Sequence, residues 1–573
     1  MATGFDRRHY LRMFEPKLLT VLRDGYSWEL LRRDALAGLT VAVVALPLAM
    51  ALAIASGAPP EKGLHTAIIA GFLISALGGS RVQIGGPTAA FIPVVFLVIQ
   101  KFGYGGLILC TLLAGLMLIA AGLLRLGTLM KYMPQPVITG FTAGIAVSIF
   151  SSQVKDALGL SMGAVPAEFL ARWSAYGQHI ATTQPAAVAL TVLGLVAIVG
   201  LRKWRPNWPG FLIALLACTL AAIAFGLPAD TIGTRFGALP SALPAFEFPH
   251  IPLERTLELL PSAFTIAFLA GVESLLSAVV ADGMTGGRHR SNGELVAQGV
   301  ANVGSALFGG LPATGAIART ATNVRSGGCT PVAGILHAAC LLLFMLLLAP
   351  LMRFVPLAAL AAVLLVVAWN MSEVEHFRNT LSAPKGDRLV LLLTFFLTVF
   401  MDLTVAIQVG IVAAALVFMF RMAEAVEVSS GVRTMHDESD DDEPHPDGDG
   451  DDDQRAKLPK GVEAFQISGP LFFGAANRLD NMLDQFVDPT KAFILRMRLV
   501  PVIDASGVHA LKKLAERCHR KGIVLIVSGL QPQPNRVIAN MRMGEHPGEL
   551  HFVSSFDRAL KLAESIVEHP VPH

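Results

Sequence analysis

Charge is what this 573-residue chain has least of: Asp, Glu, Lys and Arg make up 15% of it, against roughly a quarter in an ordinary soluble protein. That scarcity argues against a water-soluble enzyme. Cysteine is scarce as well. The five (Cys110, Cys218, Cys329, Cys340 and Cys518) are scattered and no two stand at CxxC spacing, so neither a disulfide framework nor a zinc site is expected, and no other cofactor. A Walker A pattern is missing, which excludes ATP hydrolysis by the chain itself. Two partial motifs lead nowhere: Gly159-Leu160-Ser161-Met162-Gly163 fits GxSxG but lacks the strand and helix that a nucleophile elbow needs, and His546 and His551 have the wrong spacing for HExxH. The chain therefore reads as a non-enzyme. No signal peptide is visible, because the head is charged and broken by Pro16 and the first apolar run is too long for an h-region.

Apolar sequence fills the space. Hydrophobic residues make up 53% of the chain, with 53 glycines besides, and only 38 of the 88 charged residues fall in the 394 positions from Asp34 to Glu427. A membrane domain over 34–427 follows, preceded by a cytoplasmic segment, 1–33. About fourteen stretches able to cross a bilayer start near Ala35, Leu64, Thr88, Gly105, Pro136, Pro185, Pro209, Leu257, Glu294, Ala316, Val332, Val355, Leu389 and Asp402. Several are shorter than the about 20 residues of a full span. Basic residues sit in short clusters between them, such as Arg202, Lys203 and Arg205, rather than on one face, which excludes nucleic acid as a partner. With the head in the cytoplasm, the clusters fall on short cytoplasmic links and the longer external links carry fewer, so both termini are expected inside. From Asp437 to Asp453 there are 11 acids in 17 residues and no Lys or Arg, so 428–459 reads as a disordered acidic linker. The tail, 460–573, shows strands over 462–467, 493–497 and 523–527 and amphipathic helices over 506–521 and 556–568, a small α/β domain.

Two Gly/Pro interruptions stand at matching places in the two halves. Ser75-Ala76-Leu77-Gly78-Gly79 precedes Gly85-Gly86-Pro87-Thr88-Ala89-Ala90, and Ser305 to Gly310 precedes Leu311-Pro312-Ala313-Thr314-Gly315-Ala316. Paired interruptions before short spans point to a carrier's midplane site, because broken helices aim their N-terminal dipoles at an anion. A charge inside a span is costly and so marks function by default. Glu273 lies in the middle of the eighth stretch and Arg319 just inside the short tenth, where the two could neutralise each other without substrate. Arg319 adds a fixed positive charge to a helix N-terminus, a place for a carboxylate or other oxyanion, and Glu273 is placed to take up a proton with it. Across from them stand Thr88 and Ala89, after Pro87. Gly140 and Gly144 read as a GxxxG packing pair.

In Ala45-Leu46-Pro47-Leu48-Ala49-Met50-Ala51, Gly78-Gly79-Ser80-Arg81, Gly85 to Phe91, Glu273-Ser274-Leu275-Leu276, Asp282-Gly283-Met284-Thr285, Ala318-Arg319-Thr320 and Val367 to Glu373, the chain resembles the sulfate permease (SulP) family of anion transporters, within it most its C4-dicarboxylate carriers. The resemblance covers nearly the whole chain. It implies an α-helical polytopic membrane protein of fourteen spans in two inverted repeats of seven with short third and tenth helices, an elevator-like core moving against a gate, a homodimer, and a cytoplasmic STAS domain in the tail. Carried over by position, the substrate contacts are Thr88 and Ala89 in the third span, Ala316, Ile317, Ala318 and Arg319 in the tenth, Leu48 and Leu52 in the first, and Glu273 with Ser277 in the eighth. Leu48 stands where some relatives have a polar or acidic residue. Sodium-coupled bicarbonate relatives have Asp at the Glu273 position and lack the arginine, so proton symport is implied, with succinate, fumarate or aspartate as substrate, sulfate or bicarbonate as alternatives, and a bacterial inner membrane as location. A passive channel, or a sensor signalling through the tail, is the competing class. Val500-Pro501-Val502-Ile503-Asp504-Ala505-Ser506-Gly507 carries the STAS likeness, in which Ser506 matches a phosphorylated serine of stand-alone members; Ser506 or Asp504 also suits a helix N-cap. Acyl carrier protein or a nucleotide are candidate partners of the tail.

Overall fold

The computed structural model describes residues 13–128, 134–163, 165–205, 208–237, 246, 256–401, 403–424, 427–430, 458–472, 490–544 and 549–568, in two compact units, 1–414 and 415–573. In the first, α1 (Lys17–Asp24) leads into α2 (Trp28–Ala55), α3 (Pro60–Leu77), the two-residue strand β1 (Gly85–Gly86) and α4 (Ile92–Leu123). Then come α5 (Gln135–Leu158), α6 (Phe169–His179), α7 (Pro185–Trp204), α8 (Gly210–Ala224) and α9 (Ile232–Phe236). The second half holds α10 (Thr256–Thr285), α11 (Ser291–Leu307), β2 (Thr314–Gly315), α12 (Ile317–Arg325), α13 (Val332–Met352), α14 (Leu357–Met371), α15 (Val374–Leu381), α16 (Lys385–Phe400) and the beginning of α17 (Leu403–Glu424), within which the boundary between the units falls. All fourteen apolar stretches lie in helices. The third and fourth share α4, which bends where Gly103 takes a φ of 71°, a left-handed conformation that glycine adopts without a Cβ penalty. Among the described residues, eight helices are long and apolar enough to cross a membrane.

These helices are apolar all round, as lipid-facing helices must be. Val192, Val196 and Val199 on α7 and Leu343, Leu347 and Leu351 on α13 are exposed, each set one helical turn apart, so their outer faces suit hydrocarbon. Inward, small residues bring backbones together. A Cβ at Gly140 or Gly144 would come within 2.5 Å of the Leu391 carbonyl or 2.6 Å of Thr398 Cβ, so the GxxxG pair does let α5 lie close against α16.

The second unit contains a five-stranded sheet. Strands β4 (Val462–Ser468), β5 (Ala492–Leu499), β6 (Val524–Ser528) and β7 (Leu550–Val553) are parallel neighbours in that order. Phe465, Phe493 and Leu495 face α18 (Ala505–Arg520) and α19 (Pro532–Asn540) on one side, while Ala464, Ile494 and Ile526 meet α20 (Phe556–Glu568) on the other. Burial on both faces is what turns β6 into an unbroken apolar run. One sequence boundary shifts: residues 428–430, assigned to the linker, belong to β3 (Glu427–Ser430), which pairs antiparallel with β4 at the sheet edge. The acidic run itself lies outside the described residues.

Candidate functional site

The two interruptions meet. Gly85 pairs with Gly315 and Gly86 with Thr314 in an antiparallel β1–β2 crossing, and Ala316 N donates to the Ile84 carbonyl at 2.8 Å. Each break satisfies the other's backbone, which buried polar groups require. Beyond the crossing, a single 3₁₀ turn at Ala89–Phe91 opens α4 and α12 starts at Ile317. The first N–H groups of such helices lack partners within the helix and carry positive partial charge.

Arg319 is buried at this crossing, 3% exposed. Its Nη2 donates to the Pro87 carbonyl at 3.1 Å, whereas Nε and Nη1 find no hydrogen-bond partner among the described residues. Gly86 makes room for it: φ is +152° there, and a Cβ would approach Nη1 to 2.5 Å. Thr88 does not cap its own helical turn; its hydroxyl donates to Glu273 Oε2 at 2.9 Å. Glu273 and Arg319 make no direct ion-pair contact, but their charges act on each other across the site, while the nearest hydrogen bonds of each are to Thr88 and to the Pro87 carbonyl. The result is a buried cation with two unmet donors, two helix starts, and a carboxylate held by a hydroxyl.

The remaining candidates are placed as follows. Ala89 and Ala316 are buried at the two helix starts, Leu52 is buried on α2, and Leu48 is partly buried on the same helix. Ile317 and Ala318 are exposed. Ser277 is fully buried, and its hydroxyl donates to Thr320 Oγ1 at 3.1 Å while Thr320 in turn accepts from Ile84 N at 3.0 Å; it holds the crossing together. Ser506 is exposed in the first turn of α18, and the cap is Asp504, whose Oδ1 accepts from Gly507 N at 2.7 Å.

Sequence reasoning missed a supporting polar layer. Glu294, fully buried, accepts from Gly79 N at 2.7 Å and Ser80 N at 3.1 Å on Oε2, and from Ser274 Oγ at 3.1 Å and Gln298 Nε2 at 2.8 Å on Oε1. Asn302 takes both the N–H and the C=O of Ala313, at 2.9 and 2.8 Å, fixing the second break. Gln83 donates to the Ser274 hydroxyl at 3.0 Å, tying the first break to α10 beside Glu273. The available signal was the spacing: Glu294, Gln298 and Asn302 recur every four residues, a polar stripe down one face of a membrane helix.

A family model described as "Sulfate permease family" matches residues 31–394, and one described as "STAS domain" matches 455–559. The "Putative sulfate transporter YvdB" of Bacillus subtilis is 42% identical over 536 residues, 93% of this chain and 98% of that protein. The "Bicarbonate transporter BicA" of Picosynechococcus is 30% identical over 547 residues, 93% and 94% of the two. Among solved structures, the transmembrane domain of a cyanobacterial bicarbonate transporter BicA matches with a TM-score of 0.60 and 32% identity over 68% of this chain and 98% of that one. The murine Solute Carrier 26 family member A9 anion transporter, in its inward-facing state, matches with a TM-score of 0.85 over 98% of this chain and 96% of that one. Its identity is 18%, so that likeness is one of fold.

Proposed function

Because the chain belongs to the sulfate permease family, and so to a family of membrane-embedded anion transporters that is not enzymatic, we propose that it is a secondary active carrier that binds a small dianion at Arg319 and moves it with a proton on Glu273. The single observation that carries this reading is the buried guanidinium of Arg319, with Nε and Nη1 unpartnered between two helix starts. Such donors cost several kcal/mol to bury unmet, and a carboxylate or sulfate oxygen meets them with charge-assisted bonds. Glu273 is bonded to Thr88, next to the helix start that would face the same anion, so its charge state and substrate occupancy are electrostatically linked. Thr88, Ala89, Ala316, Ile317, Ala318, Leu48 and Leu52 are the proposed wall of the site, and Ser277 its support.

The proposed substrates are C4-dicarboxylates, from the sequence likeness to carriers of that class. Sulfate or bicarbonate is the second reading, favoured by the names of the two relatives above. The same proposal includes an elevator-like movement in a homodimer at a bacterial inner membrane with both termini cytoplasmic, as the sequence resemblance and the distribution of basic residues imply. Regulation through the tail, by Ser506 phosphorylation or by a carrier protein or nucleotide, belongs to the same proposal.

Labelled succinate, sulfate and bicarbonate are offered in turn to proteoliposomes with an inward proton gradient. Arg319→Ala is expected to reduce uptake of the accepted anion to the background of empty liposomes. Glu273→Gln keeps an acceptor for Thr88 and is expected to leave exchange intact while abolishing stimulation by the gradient. Normal gradient-driven uptake by both variants would falsify the site.

A further inference from the structure

A second cavity lies apart from Arg319. Of about 230 Å³, it is walled by the C-terminal ends of α2 and α5, the start of α4, α6, α9 and the end of α16. Ile54 and Ile92 line it, a short way further along α2 from Leu52 and along α4 from Ala89, so it lies beyond the central site toward the end of the bundle opposite α1. Neither Thr88, Glu273 nor Arg319 reaches it.

Its charge is unbalanced. Arg235 is neutralised by Asp156 at 2.8 Å and by Asp230 at 3.5 Å. Lys155 and Arg172 have no such partner among the described residues. Lys155 Nζ donates to the Gly163 carbonyl at 3.0 Å. Arg172, only 7% exposed, donates to the carbonyls of Pro166 at 3.0 Å, Ala167 at 2.8 Å and Ser148 at 3.4 Å, with its guanidinium 5.8 Å from the centre of the Phe96 ring. Carbonyl oxygens satisfy the donors; Lys155 feels Asp156 and Asp230 only without direct contact, and the Arg172 charge is left without an acidic partner. Burial disfavours that charge and lowers the guanidinium's pKa, so an anion in the cavity gains what the protein does not supply.

We propose that this cavity is a second anion site, in which Lys155 and Arg172 hold a small soluble oxyanion or carboxylate on its way between the outer solution and Arg319. The proposal rests on the carrier reading above for its purpose, and on the proposed cytoplasmic N-terminus for its sidedness. An outer basin of positive potential in a partly apolar cleft raises the local anion concentration and the rate of capture. The same charge would be screened by salt.

The experiment uses full-length protein purified in detergent, with sulfate as the probe and its thermal stabilisation as the readout. Arg319→Ala removes the central site. In that background a sulfate-dependent rise in Tm is expected to persist, to weaken about tenfold in apparent affinity with Arg172→Gln, and to be largely kept by Arg172→Lys. Lys155→Gln, at a less buried position, is the independent arm and is expected to weaken it several-fold. If Arg172 only ties down the backbone at 165–168, Lys fails as Gln does and Lys155→Gln changes nothing, which overturns the proposal. So does the absence of any sulfate effect in Arg319→Ala. Should Arg319→Ala instead transport normally, the central reading falls while the Arg172 and Lys155 comparison is made in the native background with the same two outcomes.

Discussion

At the residue scale, two glutamates in membrane helices, Glu294 buried and Glu273 partly buried, separate by their donors. Glu294 accepts four hydrogen bonds, from Gly79, Ser80, Ser274 and Gln298; Glu273 accepts one, from Thr88, among the described residues. A carboxylate whose lone pairs are all engaged is a structural clasp, because any change of state breaks several bonds at once. One with spare capacity can gain or lose a proton at lower cost. Glu294→Ala strands four buried donors, and it is expected to destabilise the protein by about 3 kcal/mol or more, Glu294→Gln by about half as much because one oxygen remains. Thermal unfolding in detergent, followed by tryptophan fluorescence, checks both. Sequence exposes Glu273 because it is the one charge in the middle of a long apolar run, and Arg319 because it follows a Gly/Pro break at the start of a short span. It hides Glu294, which sits at a helix start near a basic loop and so resembles an ordinary boundary charge.

At the element scale, the breaks and the glycines decide which helices touch. The apolar stretches are legible because lipid imposes length and apolarity on helices that cross it. Their pairing is not, because packing in a membrane runs on small residues whose partners lie far off in sequence. Gly115 on α4 and Gly299 on α11 illustrate it: a Cβ at Gly115 would lie 2.7 Å from the Gly299 carbonyl, and one at Gly299 would lie 2.6 Å from the Gly115 carbonyl. The obstacle is backbone on both sides and cannot swing away. Gly299→Ala is expected to cost about 1 to 3 kcal/mol through overpacking, and Gly299→Leu to prevent recovery of monodisperse protein in size-exclusion chromatography. Gly200 on α7 has open space around its would-be Cβ, so Gly200→Ala serves as the control, neutral or stabilising by up to about 1 kcal/mol. The short β3 strand escaped the sequence for a different reason: four residues beside an acidic run carry too little pattern to register.

At the scale of the whole molecule, the two units divide what can be read from composition and what depends on the crossing. Depletion of charge separates a membrane unit from a soluble one without any structure, yet it does not distinguish a carrier from a channel. On the carrier reading proposed above, the distinction lies in the β1–β2 crossing. There the two breaks of the membrane unit complete each other, and a carrier whose site is shared in this way must change conformation to exchange its contents with either side. A continuous pore needs no such step. Proteoliposomes loaded with an excess of unlabelled anion and diluted into a trace of labelled anion, without a proton gradient, are therefore expected to accumulate label transiently above equilibrium. Each outward passage of unlabelled anion returns the site to the outer face, where label is captured. The overshoot should vanish in Arg319→Ala and persist in Glu273→Gln, since exchange between loaded states requires the cation and not the proton. A voltage-clamped, monotonic approach to equilibrium in the native protein would make it a channel instead.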